Sequence, residues 1–570
     1  YNVSLISLAR SSTVNVEFYK LKVGCQMAAR SDQSGNQAQA QMVAGSAWMT
    51  AGSIFSRVLG AVYIIPWNIW FGAFYLQGNA LYGKGYNIYS FFLIAAIAGV
   101  PSAIAKQVAH YNALNEYGIS VRLYKRGLEI AVVTGIAIAS LMYFGAPLFT
   151  GGDAHLIPVL HSLAWAILII PTMSVTRGYF QGFQQMAPSA ISQFVEQLVR
   201  VVYMLLTAYV IMRVLKGNWV TAVSQSTFAA AIGAAGGLII LGVYYWRRRG
   251  YFRGLVANSN NEMVVPANQL YREIIAQAVP FIVLGAGITI FQLIDQYTFA
   301  PIMHMAGNYS AAYLNDLFAL FGVNANKLIM ITISLASALA VTVVPLLSES
   351  YTRGNKQEIS DQLANAFLMF EFVMIPSALG MAAVARPLNL VFYGRTHEAL
   401  AASILAFSSY LSILLGLYTV VAALMQGISQ NKRAVRYFLV GTVVKFIVQW
   451  PLVYFLGAFG PLIATGIGFT VTCYLIIHSL DRQFGINFAH IAKKTNGILI
   501  MSIGTFILAR LITFAGSLLG SEGRMINFLI VAVAACVGGY FYVYMVLRSR
   551  LADTILGSRV AGLRRRLHIH

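Results

Sequence analysis

Long apolar segments alternate with short polar loops along almost the whole chain. Fourteen segments are each long enough to cross a bilayer, because roughly 20 apolar residues span the hydrocarbon core. Numbered as spans 1 to 14, they lie near residues 45–71, 86–112, 127–149, 156–180, 187–214, 219–246, 273–299, 324–350, 360–384, 398–425, 433–456, 460–479, 497–518 and 526–547. The pattern predicts an all-α polytopic membrane protein with about 14 transmembrane helices.

The composition agrees with this pattern. Of the 570 residues, 58% are hydrophobic and only 10% are charged, whereas about 25% of the residues of a soluble globular chain are charged. The composition therefore excludes a soluble domain. The three cysteines, Cys25, Cys473 and Cys536, form no CxxC pair and predict no disulfide framework.

The net charge of +21, from 39 Lys and Arg residues against 18 Asp and Glu residues, is distributed unevenly. Basic residues concentrate after the even-numbered spans, for example Arg247, Arg248 and Arg249 after span 6, whereas the odd loops carry scattered cations such as Lys84 and Arg395. The positive-inside rule places the even loops and both termini in the cytoplasm. This charge fits contacts with anionic membrane lipids, so we expect no nucleic-acid partner.

An internal repeat divides the chain into two lobes. The stretch YFQGFQQMAPSAISQFVEQLVR (179–200) matches ALMQGISQNKRAVRYFLVGTVVK (423–445) at an offset of 245, which sets Arg200 on Lys445. Spans 1–6 and spans 7–12 then form two pseudo-symmetric six-helix lobes, related by an axis along the membrane normal and separated by a cleft. Spans 13 and 14 are two extra C-terminal helices.

The expected division of the chain follows from these spans and from the polar, low-complexity N-terminal region. It comprises a disordered cytoplasmic tail (1–44), an N-lobe (45–246), a basic cytoplasmic linker (247–272), a C-lobe (273–480), spans 13 and 14 (481–548) and a basic cytoplasmic tail (549–570).

Several ionisable residues fall inside the spans, where contact with lipid is costly, so each is a candidate for function. They are Arg57, Lys106, Glu196, Arg200, Asp295, Lys327, Glu371 and Lys445. Cations outnumber acids in this set. A cleft lined by cations suits an anion and repels amphipathic drug cations, and phosphate is an anion that Arg and Lys commonly bind.

Structural explanations stay open for some of these residues. Lys106 and Lys327 lie near span ends and could snorkel to an interface. Glu196 and Arg200, four residues apart on one helical face, could neutralise each other and only hold the bundle together. Arg57 lies deeper in span 1, which favours a role facing the cleft.

Sequence motifs of enzymes and cofactor sites are absent. GNALYGKG (78–85) spells GxxxxGK, but Gly85 replaces the Ser or Thr and no strand precedes it, so we interpret it as an outer loop. The nine histidines show no metal-binding spacing. We therefore expect no enzymatic activity, no metal and no cofactor.

Three segments resemble a known family. They are FSRVLGAVY (55–63), AGVPSAIAKQVAHYNAL (98–114) and TVVPLLSESYTRG (342–354), which resemble the oligosaccharidyl-lipid and polysaccharide branch of the multidrug/oligosaccharidyl-lipid/polysaccharide exporter superfamily. Within this branch the chain is most similar to the MurJ-like lipid II flippases of Gram-positive bacteria. Relatives that act in spore cortex formation share the same segments.

The resemblance implies a role for the cations. Flippases of this family move an undecaprenyl-diphosphate-linked sugar-peptide between leaflets, and cations in their cleft are thought to hold the diphosphate. Arg57 matches the family's span-1 arginine, and Lys327 stands in place of a span-8 arginine, so the bidentate fork is lost. Tyr63 occupies the position of a second span-1 arginine. The expected diphosphate-binding residues are Arg57, Lys327, Arg200 and Lys106.

The resemblance also implies a coupling site. It implies a sodium site between spans 7, 11 and 12, as in some relatives, where Asp295 matches the acid and Thr465 the hydroxyl. Span 11 instead offers Lys445 and Gln449 in place of an Asn and an acid. We expect the Lys445 ammonium to lie within about 4–6 Å of Asp295 and to replace sodium, which leaves the membrane potential or a proton as the driving force. The alternative is that Lys445 points into the main cleft.

The expected function is that of a flippase for lipid II in the bacterial cell membrane, acting by alternating access through a cationic central cleft. The alternatives are a flippase for another polyprenyl-diphosphate glycan, such as a capsule, teichoic or spore cortex precursor, and a multidrug/cation antiporter. The expected partners are a polyprenyl-diphosphate-linked glycan as substrate and membrane lipids, and the transporter is expected to be monomeric.

Overall fold

The computed structural model describes residues 63–97, 99–259, 280–518 and 523–556, together with Gly60, Gly520 and Arg564. The predicted N-terminal tail (1–44), Arg57 and parts of the basic linker and of the C-terminal tail lie outside these residues. Within the described residues the protein is helical and contains no strand, which confirms the predicted all-α class.

The spans of the N-lobe follow one another with short connections. They are Ile64–Phe71 (span 1), Tyr75–Ile97 with Val100–Ala113 (span 2), Tyr117–Phe144 (span 3), Leu156–Gly182 (span 4), Met186–Tyr209 with the π-helix Val210–Val214 (span 5) and Trp219–Arg247 (span 6).

The C-lobe has the same number of spans. They are Gly287–Ala306 (span 7), Ala311–Phe318 with the π-helix Ala319–Ala325 and Asn326–Arg353 (span 8), Lys356–Ala383 (span 9), Glu398–Gly427 (span 10), Asn431–Leu456 (span 11) and Gly460–Phe484 (span 12). Spans 13 and 14 are Phe488–Leu518 and Arg524–Arg548. Short helices cover Ala146–Phe149, Arg249–Ala257, Ala385–Tyr393 and Leu551–Leu556.

The number of spans agrees with the sequence pattern. By length and apolar composition, 11 continuous helical runs among the described residues could cross a membrane, and two of them, Ile64–Ala113 and Asn431–Phe484, each contain two spans. Span 7, described from Gly287 as a helix of 20 residues, completes the predicted set of about 14 helices.

The stretch at 78–85 is helical, and its interpretation as a loop was wrong. Span 2 begins at Tyr75, and its glycines mark close packing: a Cβ on Gly83 would overlap the Val323 side chain, and one on Gly85 would lie 2.5 Å from Cγ1 of Val159. These glycines allow spans 4 and 8 to pack closely against span 2. A single sequence does not show whether a glycine serves close packing or a turn.

The two lobes repeat the same packing. Contacts between spans 2 and 4, 3 and 4, 4 and 6, and 5 and 6 recur six spans later between spans 8 and 10, 9 and 10, 10 and 12, and 11 and 12. Span 13 packs on span 9, and span 14 packs on span 13 and on the helix Ala385–Tyr393. The packing therefore agrees with a six-helix repeat followed by two added helices.

The backbone supports the offset of 245 found in the sequence. The turn after span 4 has Gln184 at φ 58°, and the turn after span 10 has Ser429 at φ 59°. In each turn the amide of the next residue, Gln185 or Gln430, donates to a carbonyl in the preceding helix at 3.0 Å and 2.9 Å. The short QG-containing repeat therefore encodes the same helix-ending turn twice.

The lobes meet on the side that the charge pattern predicts to be the outer one. Among the described residues, the N-lobe contacts the C-lobe mainly through spans 1, 2, 7 and 8 and the helix Ala385–Tyr393. In each span the contact lies in the half that is predicted to face outward. Nδ2 of Asn79 donates to Oδ1 of Asn324 at 3.0 Å, and Nζ of Lys84 donates to Oδ1 of Asn315 at 2.7 Å. The structure is therefore closed on the predicted outer side.

Candidate functional site

A row of tyrosines runs along one face of span 2. Tyr82, Tyr86 and Tyr89 have the i, i+4, i+7 spacing that aligns side chains on a helix. The rings of Tyr82 and Tyr86 stack with centroids 4.5 Å apart, and those of Tyr86 and Tyr89 meet edge to face at 5.3 Å. Span 2 thereby presents a continuous aromatic surface, here called the tyrosine row, between the two lobes.

Lys327 of the C-lobe lies over the first ring of the tyrosine row. Its Nζ is 4.8 Å from the ring centroid of Tyr82, and it also faces the rings of Tyr63 and Trp67 at 5.5 and 5.8 Å. The ammonium donates to Oδ1 of Asn79 at 3.3 Å. Because an ammonium is attracted to the negative face of an aromatic ring, these rings hold the cation between the lobes rather than at a span end.

Arg200 of the N-lobe lies over the next ring. Its guanidinium carbon is 5.2 Å from the centroid of Tyr86, and Nη2 donates to the hydroxyl of the same tyrosine. Two of the four cations predicted to bind diphosphate therefore lie against adjacent, stacked rings of the tyrosine row, one cation from each lobe.

Neither cation has a carboxylate partner among the described residues. Glu196, which could have neutralised Arg200, instead accepts a hydrogen bond at 2.7 Å from Nη2 of Arg177 in span 4. Arg177 also contacts Ser192. The Glu196–Arg200 pairing is thus corrected, and the partner that sequence reasoning missed is Arg177, which lies in predicted span 4 as an intramembrane arginine.

Hydrogen-bond donors near the cations remain unsatisfied. Nε of Arg200 and Nδ2 of Asn324 are buried, and neither has a partner in the structure. A buried donor without an acceptor costs roughly 1–3 kcal/mol. The amide orientation of Asn324 follows from its hydrogen bond with Asn79. Two cations that pair with no carboxylate among the described residues, together with these two unsatisfied donors, form an environment that an anionic acceptor would complete.

The other predicted diphosphate residues lie elsewhere. Lys106 is exposed on the helix Val100–Ala113, 20 residues beyond Tyr86, and the structure does not bring it to the tyrosine row. Arg57 lies outside the described residues. Glu371 of span 9 accepts a hydrogen bond from Thr495 of span 13, so the packing of the added helices uses this acid.

A second cluster lies inside the C-lobe. Nζ of Lys445 is 2.7 Å from Oδ1 of Asp295 and donates to Oγ1 of Thr465 at 2.6 Å. Nε2 of Gln449 donates to the same carboxylate oxygen at 2.9 Å. Lys445 is fully buried and also faces the ring of Phe291 at 4.9 Å. The predicted approach of the Lys445 ammonium to the Asp295 carboxylate, within about 4–6 Å, is therefore met. The role of this cluster in coupling stays a prediction.

Arg200 and Lys445 have corresponding surroundings in the two lobes. A Cβ on Gly233 of span 6 would lie 2.9 Å from Cβ of Arg200, and one on Gly468 of span 12 would lie 2.9 Å from Cβ of Lys445. The repeat therefore places a cation on span 5 and on span 11, each beside a glycine of the following span. The side chains then differ, since Arg200 turns to the tyrosine row and Lys445 to Asp295.

Comparison with known proteins identifies relatives over most of the chain. A family model described as polysaccharide biosynthesis protein matches residues 42–351. The lipid II flippase MurJ of Bacillus subtilis (strain 168) is 34% identical over 541 residues, which cover 92% of this chain and 98% of that protein.

Solved structures share the fold. An inward-facing multidrug resistance MATE family transporter of the MOP superfamily aligns with a TM-score of 0.59 at 13% identity, over 76% of this chain and 96% of that chain. The lipid II flippase MurJ in an inward closed conformation aligns with a TM-score of 0.56 at 13% identity, over 87% and 98%. At these identities the similarity shows the fold alone.

Proposed function

This chain belongs to the polysaccharide biosynthesis protein family, and from that premise we propose that it is a lipid II flippase, which moves a lipid-linked peptidoglycan precursor from the inner to the outer leaflet. The similarity to the Bacillus subtilis lipid II flippase over nearly the whole of both chains supports this substrate. Two repeated lobes around a central cleft support transport by alternating access.

One observation carries the proposed chemistry of the site. Lys327 and Arg200, from different lobes, face adjacent rings of the tyrosine row, and in the part of the chain that the structure describes neither is paired with a carboxylate. Their charges are therefore left for an anionic ligand. A diphosphate has oxygen acceptors for both cations and for the buried Nε of Arg200. We expect the diphosphate to displace the ring faces, since a charge-assisted hydrogen bond is stronger than a contact with a neutral ring. Arg57 is proposed to add a further cation from span 1.

A drug/cation antiporter is disfavoured by the same observation. Such a transporter needs acidic groups facing its cleft, whereas the carboxylates of Glu196 and Asp295 are each bound by a cation within their own lobe. The lipid-linked anion therefore fits the site better than a cationic drug.

The coupling proposal rests on the cluster in the C-lobe. The Lys445 ammonium already contacts Asp295 and Thr465, two of the positions that the family resemblance associates with sodium. A bound sodium beside an ammonium would face like-charge repulsion. A cavity of about 30 Å³ borders Asp295 and Thr465 and has room for a water or two. We therefore propose that transport is driven by the membrane potential or by a proton.

The remaining assignments are proposals of the same kind. Both termini and the even loops lie in the cytoplasm, the two lobes span 45–246 and 273–480, and the protein acts as a monomer. Spans 13 and 14 pack against span 9 and the helix Ala385–Tyr393, at the outside of the C-lobe.

Translocation in reconstituted vesicles tests the function. Fluorescent lipid II in the inner leaflet of proteoliposomes should become accessible to an added membrane-impermeant quencher when the protein is present. Lys327→Ala, Arg200→Ala and Arg57→Ala should each reduce the rate at least tenfold, because each removes a charge-assisted contact of about 1.5–3 kcal/mol with the diphosphate.

Lys356→Ala is the matched control, since Lys356 is an exposed cation at the start of span 9 and should leave the rate unchanged. A protein that inserts normally but leaves lipid II in its original leaflet would refute the function. Normal rates for all three cleft variants would refute only the site.

A further inference from the structure

A cavity of about 90 Å³ lies on the outside of the C-lobe, away from the cleft between the lobes. It is bordered by the short helix Ala385–Tyr393, span 13 and span 14, at the ends of the spans that the topology places outside. Its polar lining includes Arg386, Arg510, Thr513, Ser517 and Asn527. The volume is enough for several waters or for one tetrahedral phosphate group.

Arg510 lies within reach of the lipid phosphates. Span 13 has 31 residues, so at 1.5 Å per residue it is about 46 Å long, comparable to a bilayer with its headgroups. Arg510 is eight residues before the last residue, Leu518, and hence about 12 Å below the outer end of the helix. A side chain of this length can direct its charge from that depth to the headgroup level.

The charge of Arg510 is uncompensated. Among the described residues its guanidinium has no ion pair or hydrogen bond, and the side chain is exposed beside apolar, exposed Ile507 and Leu511. An arginine at this depth is costly unless it finds an anion or water. The neighbouring Arg386 uses only its Nε for Glu398, at 2.8 Å, so its two terminal nitrogens remain for a ligand.

The other polar groups of the cavity do not compete for this role. Thr513 and Ser517 lie on the same helical face as Arg510 at i+3 and i+7, and their hydroxyls donate to the carbonyls of Ala509 and Phe514. Nδ2 of Asn527 donates to the carbonyl of Gly523 at 3.0 Å. The two arginines are therefore the charged donors that the cavity offers to a ligand. Such a site selects an anion with several acceptor oxygens.

We propose that this cavity is a second lipid site, which binds the phosphate group of a lipid in the outer leaflet through Arg510 and Arg386. The ligand chemistry is a lipid-borne phosphate: it belongs either to an anionic phospholipid such as phosphatidylglycerol or to a polyprenyl diphosphate. The site is distinct from the cleft between the lobes, where Lys327 and Arg200 lie against the tyrosine row of span 2. A headgroup held here keeps its acyl chains against the apolar surface of spans 13 and 14.

The test is lipid retention, which is independent of transport. The full chain and Arg510→Gln would be incorporated into nanodiscs of phosphatidylcholine with phosphatidylglycerol, and retained lipids would be counted by native mass spectrometry after release. In a second arm undecaprenyl diphosphate replaces phosphatidylglycerol, and in a third arm inorganic diphosphate is added to neutral nanodiscs. Arg395→Gln is the matched control, because Arg395 is exposed on the same side but does not line the cavity.

We expect Arg510→Gln to weaken retention of one lipid about tenfold, as loss of a charge-assisted contact predicts, with Arg395→Gln unchanged. Loss confined to phosphatidylglycerol identifies a phospholipid site, and loss confined to undecaprenyl diphosphate identifies a carrier-lipid site. The proposal is overturned if both variants retain lipid like the parent chain, if both lose it equally, or if inorganic diphosphate binds as tightly as the lipids. Arg510→Gln should stay monodisperse, because the side chain is exposed and forms no hydrogen bond or ion pair within the described residues.

Discussion

At the residue scale, Lys445 and Asp295 show how a substitution in one position changes the requirements of a site. A buried ammonium pairs with a buried carboxylate inside the C-lobe, and Thr465 and Gln449 add one neutral hydrogen bond to each charge. Removing one charge of such a pair leaves the other uncompensated at a cost of about 3–5 kcal/mol. The cluster is therefore predicted to behave as a unit.

We expect Asp295→Asn and Lys445→Met each to lower the melting temperature in detergent, and the double variant to regain most of the loss. The double variant has no buried charge left, so its effect should be smaller than the sum of the single effects. If the decrease in melting temperature of the double variant equalled the sum of the two single decreases, the two side chains would not interact in solution.

The same cluster makes a prediction about ions. Lipid II translocation should proceed equally in sodium and in potassium buffers at the same membrane potential, if the Lys445 ammonium beside Asp295 takes the place of a sodium ion as proposed. Lys445→Asn combined with Gln449→Asp supplies the residue types that the family resemblance associates with sodium, and this variant should become faster in sodium. Strict sodium dependence of the parent protein would contradict the assignment.

At the element scale, the crossing of spans 11 and 12 places the cluster. A Cβ on Gly441 would overlap the Thr472 hydroxyl and lie 2.5 Å from the carbonyl oxygen of Gly468. Span 11 can therefore approach span 12 only because this position has no side chain. Lys445 follows one helical turn later, so the crossing fixes where its ammonium lies.

Gly441→Ala is expected to separate the two spans. Overpacking of this kind costs about 1–3 kcal/mol, and it should also reduce transport because Lys445 moves away from Asp295. The melting temperature and the translocation rate measure the two effects. Gly539→Ala in span 14, where a Cβ would contact nothing within 4 Å, is the control and should change neither; a normal Gly441→Ala protein would show that the crossing is loose.

At the scale of the whole molecule, the contact between spans 2 and 8 closes the cleft on the side that the charge pattern predicts to be the outer one. Gly83 lies so close to Val323 that a Cβ at Gly83 would be 3.2 Å from Cβ of Val323. Disulfides require Cβ atoms about 3.5–4.5 Å apart. Cysteines at the two positions need a shift of only a few tenths of an ångström, and replacing Val323 removes the overlapping methyl groups.

Gly83→Cys with Val323→Cys, in a chain whose Cys25, Cys473 and Cys536 are replaced by serine, should form a disulfide under mild oxidation. The disulfide would hold this side closed and stop translocation, since alternating access requires this side to open. A reductant should restore translocation. Val323→Cys alone should be insensitive to oxidant. Full transport by the oxidised double variant would show that these halves do not separate during the cycle.

The sequence by itself determined the membrane location, the number of spans and the repeat. They rest on properties that one chain carries in linear order: runs of about 20 apolar residues and a recurring turn with its offset of 245. The depth of Arg200 and Lys445 also followed from these runs. Their equivalence followed from the repeat.

The tertiary structure alone decided which side chains meet. Sequence spacing suggested that Glu196 neutralises Arg200, but the carboxylate is taken by Arg177 of another span, and Arg200 reaches Tyr86 instead. The glycines at 78–85 suggested a turn, but they serve contacts with spans 4 and 8. Arg386 and Arg510, 124 residues apart, border one cavity only because span 13 packs beside the helix after span 9. Local pattern fixes how a segment crosses the bilayer, whereas partners from distant spans depend on how the helices pack against one another.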